Sequence, residues 1–370
     1  MTSIVGVGTV TKPYFFDSGL PEYPNCLGVE WSDVQERPIP ADAKELVKDW
    51  FGRTVKELTA QEFERLTTSR KGPMDSRYGE VCAKTFLPVP FFQDCERLLK
   101  MKKQIVLQGA PGTGKTFVAQ ELALLWAGSE DRVKVVQFHE SYGYEDFIFG
   151  IKPKVDPETK KTAFYPAPGM FLRFCEQIKT SGDEPQVLLI DEINRAKIAR
   201  VFGELLYLLE YRERKVELQN GETFFIPPNL YIIGTMNTTD KSIALVDYAL
   251  RRRFAFIDLV PVQHGHSVVL QYWMRENQIQ NADEVEQIFV SLNQAIAQKD
   301  EALMVGHSYF MLDQAKVEKQ FSPELLSFLW QYYILPLIAE YEYQLTKDEL
   351  EKKYGLDAIR ALARVKSPTA

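Results

Sequence analysis

Residues 109–116 read Gly109-Ala-Pro-Gly-Thr-Gly-Lys-Thr116 and match the pattern G-x-x-x-x-G-K-[ST] in full. An apolar run, residues 104–108, precedes them, and a helical pattern follows over residues 117–125. Glycines allow backbone N–H groups to turn toward phosphate oxygens, and the start of a helix adds its dipole. The sequence therefore predicts a nucleotide-binding loop, whose residues are Gly109, Ala110, Pro111, Gly112, Thr113, Gly114, Lys115, Thr116 and Phe117.

A second strand supplies two acids. Residues 187–192 read Val187-Leu-Leu-Ile-Asp-Glu192, an apolar run that ends in two carboxylates. The carboxyl ends of parallel strands share one edge of a sheet, so both acids are expected beside the loop. Lys115 is expected to reach the β- and γ-phosphates, while Thr116 and, through water, Asp191 hold Mg²⁺. Glu192 would orient or deprotonate the attacking water, which favours a nucleoside triphosphate hydrolase over a nucleoside kinase. The alternative is a solvated strand end that carries two acids.

A third strand and a basic triplet follow along the chain. Residues 230–237 form an apolar run that ends in Asn237, whose amide can position the attacking water. Arg251, Arg252 and Arg253 come just before the last predicted strand. One interpretation is a guanidinium that reaches a neighbouring subunit and stabilises charge in the transition state. The other is a solvated basic patch that contacts nucleic acid or acidic side chains.

Apolar strands alternate with amphipathic helices between residues 88 and 260, which predicts an α/β fold with a parallel sheet. The strands are expected at residues 104–108, 133–138, 186–190, 230–235 and 254–259. Residues 266–366 show helical periodicity without strands, and Pro336 is expected to bend or break a helix over residues 323–343. We therefore predict an N-terminal extension (1–80), an α/β nucleotide-binding domain (85–262) and an all-helical lid domain (263–370).

Composition and charge restrict the binding partners and the cellular compartment that we expect for the protein. The net charge of −7 argues against a chain coated for nucleic-acid binding. No apolar run approaches the roughly 20 residues of a membrane span, and no secretory signal is visible. Four widely spaced cysteines without a C-x-x-C pair fit a reducing compartment, so we expect a cytoplasmic protein.

Several sequence strings, taken together with the loop, resemble those of the AAA+ motor subunits of McrBC-type restriction systems. The strings are Val136-Gln-Phe-His-Glu-Ser-Tyr-Gly-Tyr-Glu-Asp-Phe147, Ile190-Asp-Glu-Ile-Asn-Arg-Ala196, Met236-Asn-Thr-Thr-Asp-Lys-Ser242, Val246-Asp-Tyr-Ala-Leu-Arg-Arg-Arg-Phe254 and Gly306-His-Ser-Tyr-Phe310. The resemblance covers residues 88–345. A phosphate-binding loop alone is common to many NTPases, whereas the strings that begin at Met236 and Val246 are specific in combination.

The resemblance implies an AAA+ fold with a five-stranded core sheet and a helical lid. It implies a hexameric ring with nucleotide between subunits, GTP as the nucleotide, and a separate McrC-like nuclease subunit that stimulates hydrolysis. It further implies DNA cleavage after NTP-driven translocation. By the same resemblance Asn237 is the sensor residue, and Arg252 and Arg253 are the interface arginines, with the choice between these two left open.

Other assignments remain alternatives. Residues 6–17 and 20–24 resemble the tail of an EVE- or PUA-like β-barrel, and capping boxes at 54–57 and 59–62 predict helices after it. No D…E-x-K nuclease cluster is visible, so DNA cutting would need a partner.

Asn237 belongs to the phosphate end of the site, so we do not assign it to guanine recognition. GTP is preferred to ATP on the resemblance alone, and base choice is expected to depend on residues 70–90 and the lid. His307 receives no catalytic role. A basic loop with Lys152, Lys154, Lys160 and Lys161 is expected to contact DNA or the nuclease subunit. The rival functions are an ATP-driven remodeller of the MoxR or dynein-related kind and a nucleotide-gated scaffold without turnover.

Overall fold

A computed structural model describes residues 3–4, 7–16, 25–33, 37–38, 76–155, 162–239, 248–263 and 265–366. The chain falls into two compact units, Met1–Gly79 and Glu80–Ala370. The described residues of the first unit include two antiparallel strand pairs, β1 with β4 and β2 with β3. Their bounds are β1 (Ser3–Ile4), β2 (Val7–Phe16), β3 (Asn25–Asp33) and β4 (Arg37–Pro38). The helices predicted around residues 54–62 lie outside the described residues. Residues 20–24 also lie outside them, and the barrel resemblance stays a prediction.

The α/β part alternates strands and helices from residue 76 to residue 258. Its elements are α1 (Ser76–Thr85), α2 (Val89–Lys102), β5 (Gln104–Gly109), α3 (Lys115–Ala127), β6 (Val133–Gln137), α4 (Tyr144–Phe147), β7 (Phe149–Val155), β8 (Thr162–Pro168), α5 (Met170–Thr180), β9 (Gln186–Asp191), α6 (Ile198–Phe202), α7 (Leu205–Glu210), β10 (Val216–Glu217), β11 (Thr223–Phe224), β12 (Leu230–Asn237), α8 (Tyr248–Arg253) and β13 (Ala255–Asp258).

Five of these strands form one parallel sheet in the order β13-β5-β12-β9-β6. All five strands predicted from the sequence belong to it, which confirms the predicted α/β fold. The central strands are apolar along their length because helices cover both faces; Ile105, Leu188 and Ile232, for example, are fully buried. In the register of the sheet, Asn237 pairs with Gly109 and Gly234 with Ile190. This pairing places the ends of β5, β9 and β12 at one edge.

Two antiparallel hairpins are additions that the sequence reading missed. β7 pairs with β8, and β10 pairs with β11. The basic segment that begins at Lys152 was expected to be a loop, and this expectation is wrong for Lys152 and Lys154, which lie in β7. Pro153 and Pro166 hide these two strands from sequence patterns, because proline is rare in most strands. It is tolerated here because both strands of a two-stranded ribbon are edge strands. Lys160 and Lys161 lie outside the described residues.

The C-terminal part is helical, as predicted. Its helices are α9 (Val268–Glu276), α10 (Ala282–Ala297), α11 (Asp313–Glu318), α12 (Pro323–Leu329), α13 (Leu335–Tyr341), α14 (Lys347–Tyr354) and α15 (Leu356–Lys366). Its buried side chains form one apolar cluster, which includes Phe289, Phe310 and Trp330. A separate cluster with Phe147, Phe171 and Phe202 fills the α/β part. Among the described residues, no helix combines the length and apolar character that a membrane span requires.

The regular α-helical pattern is interrupted just before Pro336, where a bend or break was predicted. Between α12 and α13, Trp330–Ile334 form a π-turn, in which the Leu335 N–H donates to the carbonyl of Trp330. Proline has no N–H to donate, and its ring would clash with the carbonyl four residues earlier in a regular helix. The wider turn before Pro336 relieves this clash while the helix continues.

Candidate active site

The phosphate-binding loop joins β5 to α3 with the backbone that its glycines were predicted to provide. Gly112 and Gly114 adopt positive φ angles of 79° and 78°, which side chains with a Cβ atom rarely accept. Within the loop, Thr113 Oγ1 donates to the carbonyl of Ala110 at 2.9 Å, and Lys115 Nζ donates to the same carbonyl at 2.7 Å. Lys115 is buried, so its ammonium group lies inside the loop where phosphate oxygens would be expected.

The two acids of β9 lie beside this loop. Thr116 Oγ1 donates a 2.7 Å hydrogen bond to Asp191 Oδ1, so a hydroxyl and a carboxylate oxygen meet at one point. Hard oxygen donors of this kind suit Mg²⁺, and the pair predicted to hold the ion is therefore brought together. Glu192 follows in the left-handed region, with φ at 54°. A residue with a Cβ atom rarely adopts this conformation unless its surroundings hold it there.

Thr235 supplies that support. Its Oγ1 accepts the backbone N–H of Glu192 at 3.1 Å and donates to Asp191 Oδ1 at 2.6 Å. One buried hydroxyl in β12 thus orients both acids. Sequence analysis missed Thr235, although a polar residue within the apolar run 230–237 was a usable signal.

Asn237 lies at the end of β12 and contacts the proposed water-activating acid. Its Nδ2 donates to Glu192 Oε1 at 2.7 Å. Asn194 Nδ2 donates to the carbonyl of Asn237 at 3.3 Å, which ties the end of β12 to the turn after β9. Asn237, Glu192, Asp191 and Thr116 therefore form a continuous cluster. Residues 240–247, which continue the Met236 string, lie outside the described residues.

The lid packs directly against the phosphate-binding loop. The Gly306 N–H donates to the carbonyl of Pro111 at 3.1 Å, and the Ser308 N–H donates to the carbonyl of Gly112 at 3.0 Å. Between them, His307 is buried with its Nε2 facing Gly114. Burial, with a smaller effect of the Lys115 charge, lowers the pKa of His307 to about 4. A neutral imidazole therefore lies between the lid and the loop at physiological pH.

A cavity of about 230 Å³ opens between the loop, the segment after α1 and the lid. Its walls are mostly apolar and include Phe117, Leu259 and Met311, while Lys84 and Thr85 add polar groups; the remaining lining residues are Phe86, Leu87, Thr113, Gly114, Val118, Val260, Val269, His307 and Ser308. A mostly apolar pocket with a few polar groups is typical of a site for a small organic ligand. Segment 84–87 and the lid, where base choice was predicted, both contribute to it.

The arginine triplet ends α8 and lies apart from this cluster. Arg252 is 72% exposed and contacts Glu210 at 2.7 Å, whereas Arg253 is 18% exposed and donates from Nε to the carbonyl of Leu206 at 2.7 Å. Arg251 lies over the ring of Phe256 at 5.5 Å. Gln104, the first residue of β5, donates to the carbonyl of Arg253 at 2.8 Å, whereas the phosphate-binding loop follows the other end of β5. The arginine triplet and the cluster of Thr116, Asp191, Glu192 and Asn237 therefore lie toward opposite ends of β5 in one copy of the chain.

Comparisons with known proteins agree with this architecture. The family model for the AAA domain of the dynein-related subfamily matches residues 104–254, and the model for the McrB alpha-helical lid domain matches residues 284–348. The type IV methyl-directed restriction enzyme EcoKMcrB subunit of Escherichia coli (strain K12) is 39% identical over 273 residues, which are 69% of this chain and 57% of that protein.

The type II restriction enzyme BsuMI component YdiS of Bacillus subtilis (strain 168) is 28% identical over 198 residues, which are 43% of this chain and 57% of that protein. The chain therefore spans little more than half the length of these two relatives. From its AAA domain, its lid and its identity to the E. coli subunit, we conclude that the chain belongs to the McrB-type family of AAA NTP hydrolases.

Proposed function

We propose that this chain is the motor subunit of a McrBC-like restriction complex, with GTP as its preferred fuel. In this proposal it forms a hexameric ring that drives DNA translocation, and a separate McrC-like subunit carries the nuclease. The 2.7 Å contact between Asn237 and Glu192, next to the Thr116–Asp191 pair, carries the hydrolytic part. The restriction part rests on the two relatives, whose names describe restriction enzymes.

The residues of the chain divide the chemical work. Lys115 neutralises charge on the β- and γ-phosphates, and the N–H groups of the loop orient them. Glu192 accepts a proton from the attacking water, while the amide of Asn237 holds the Glu192 carboxylate in place. Thr116 and, through water, Asp191 would hold Mg²⁺, which would offset the negative charge of the phosphates.

An arginine from a neighbouring copy completes the proposed site. Arg252 is the better candidate, because its guanidinium is largely exposed whereas that of Arg253 is packed against Leu206 and Glu210 of its own chain. A trans-acting arginine typically accounts for about 10³–10⁵ in rate. Arg252→Ala should therefore lower turnover far more than nucleotide affinity.

The preference for GTP is tested by steady-state turnover of GTP and ATP in parallel, with and without a co-purified nuclease-bearing partner. Faster GTP turnover that rises with the partner supports the proposal. Faster ATP turnover without such a partner favours the second candidate, an AAA remodeller of protein complexes. That candidate is supported by the match of residues 104–254 to the dynein-related subfamily.

The β7–β8 hairpin is the proposed contact to DNA or to the nuclease subunit. Lys152 and Lys154 lie in β7, and Lys160 and Lys161 follow in the same segment of the sequence. Changing all four lysines to glutamate should lower the partner-stimulated turnover and leave nucleotide affinity intact, because the hairpin is not part of the phosphate-binding loop. An unchanged stimulated rate would rule out this contact.

A further inference from the structure

Glu210, the last residue of α7, binds two arginines at once. Its Oε1 lies 2.7 Å from Arg252 Nη2, and its Oε2 lies 3.4 Å from Arg253 Nη2. The carboxylate is 20% exposed, so solvent screens it less than an ordinary surface acid. The two arginines differ strongly in exposure, at 72% and 18%. Glu210 therefore connects a fixed guanidinium to one that faces outward.

The fixed side of this arrangement is anchored in the core. Arg253 Nε donates to the carbonyl of Leu206 at 2.7 Å, and Gln104 Nε2 donates to the carbonyls of Leu209 and Arg253 at 2.8 Å each. Gln104 is the first residue of β5 and is buried, and its Oε1 accepts from Arg212 Nη2 at 2.7 Å. The end of α7, the end of α8 and the start of β5 are thus held together by hydrogen bonds.

An exposed arginine has many rotamers of similar energy, and fixing one of them costs conformational entropy. Glu210 contacts Arg252 at Nη2 and the Arg252 side chain is 72% exposed, so its guanidinium can still donate to an anionic group on another molecule. Because Arg253 fixes the Glu210 carboxylate, this carboxylate can restrict the rotamers of Arg252 and still leave its guanidinium accessible to another molecule.

We propose that Glu210 is a positioning residue for Arg252, and that it preorganises this side chain to enter the nucleotide site of the neighbouring copy. The inference rests on the proposed trans-acting role of Arg252. Glu210 itself touches neither nucleotide nor water in this proposal. It raises the rate by reducing the disorder of the arginine that does.

The first test separates turnover from binding. Glu210→Gln keeps the size of the side chain and removes its charge, and it should lower kcat about tenfold while KM changes less than twofold. Glu213→Gln is the matched control, because Glu213 is 72% exposed and pairs only at 3.8 Å with Arg214. The control should keep the wild-type kcat. An unchanged kcat in Glu210→Gln would overturn the proposal.

The second test asks in which subunit Glu210 acts, and it uses mixed rings. Glu192→Gln disables the hydrolytic cluster but keeps Arg252, whereas Arg252→Ala does the reverse. About a quarter of the interfaces in a randomly mixed 1:1 ring would combine an intact cluster with an intact arginine, because the ring contact is head-to-tail. This mixture should recover turnover that neither variant shows alone.

Glu210→Gln mixed with Glu192→Gln should turn over faster than either variant alone, since Glu192→Gln subunits then supply a positioned Arg252 to the intact clusters of Glu210→Gln subunits. A residue that merely supports its own nucleotide site or its own fold gives no such recovery. If the Arg252→Ala mixture recovers and the Glu210→Gln mixture does not, the positioning role is wrong. If neither recovers, the trans-acting arginine itself is wrong, and the proposed function must be revised.

Discussion

At the scale of single residues, the two acids depend on the Thr235 hydroxyl for their orientation. Thr235 accepts from the backbone of Glu192 and donates to Asp191, so its hydroxyl holds the left-handed turn that aims both acids. A strained conformation at a functional site persists only where neighbouring groups hold it.

Thr235→Val removes this hydroxyl at nearly constant volume. We expect turnover to fall about tenfold, equivalent to about 1.4 kcal/mol, because Asp191 and the Glu192 N–H lose a buried partner. Thr235→Ser keeps the hydroxyl and should stay within a factor of a few of the wild type. Steady-state kinetics of both variants measures the difference; equal rates for Val and Ser would show that the hydroxyl has no role.

The buried His307 should make the fold sensitive to acid. Its pKa is about 4 in the folded chain and 6.5 ordinarily, so the unfolded chain takes up the proton first as pH falls. Stability is therefore unaffected above about pH 6.5 and is lost progressively between 6.5 and 4. The loss at pH 5 is about 2 kcal/mol.

The measurement is the free energy of unfolding at pH 7.5 and pH 5 in the wild type and in His307→Gln, which cannot titrate. The difference between the two pH values should be smaller in the variant. His266→Gln is the control, because the His266 side chain is 63% exposed. An identical pH dependence in His307→Gln and wild type would contradict the burial of a neutral imidazole.

At the scale of elements, the lid meets the phosphate-binding loop by backbone contact. A Cβ atom on Gly306 would lie 2.0 Å from the carbonyl carbon of Gly112, a distance that forces the two segments apart. The conformation of Gly306 itself is ordinary, with φ at −70°, so the requirement for glycine is one of space. Lid position and loop position are therefore coupled.

Gly306→Ala should weaken nucleotide binding about tenfold, or about 1.4 kcal/mol, because the lid can no longer pack on the loop that holds the phosphates. Titration with a fluorescent nucleotide analogue measures this. Gly128→Ala serves as the control: no atom lies within 4 Å of its Cβ position, although its φ of 76° is also strained for alanine. Wild-type affinity in Gly306→Ala would show that the lid is not required for binding.

At the scale of the whole molecule, we propose that each hydrolytic site is shared between two copies, because Arg253 and its neighbour Arg252 lie near the start of β5 whereas Asn237 and Glu192 lie at its other end. Glu192→Gln should bind nucleotide, fail to hydrolyse it, and so accumulate as an assembled ring. Mass photometry with and without nucleotide would show this accumulation. A variant that stays monomeric with bound nucleotide would contradict the shared site, and one that turns over at the wild-type rate would contradict the role of Glu192.

Much of the fold could be read from local patterns. The loop residues 109–116, the two acids that end β9 and Asn237 at the end of β12 were predicted, because strand-terminal polar residues of a parallel sheet meet at one edge. The hairpin β7–β8 was not predicted, since its prolines remove the usual strand pattern. The roles of Arg252 and Arg253 could not be separated, because neighbouring arginines of identical chemistry differ only in what surrounds them.

The sequence by itself determined the phosphate-binding loop, the order of the strands along the chain and the two acids at the end of β9, because each depends on residue type and short-range spacing. Only the tertiary structure decided that Thr235 orients both acids, that Gly306 lies against Gly112, and that Glu210 holds Arg252. These contacts join residues 40 to 200 positions apart in the chain. Such pairs are brought together by sheet order and lid packing, and no local pattern records which distant residues those forces will place in contact.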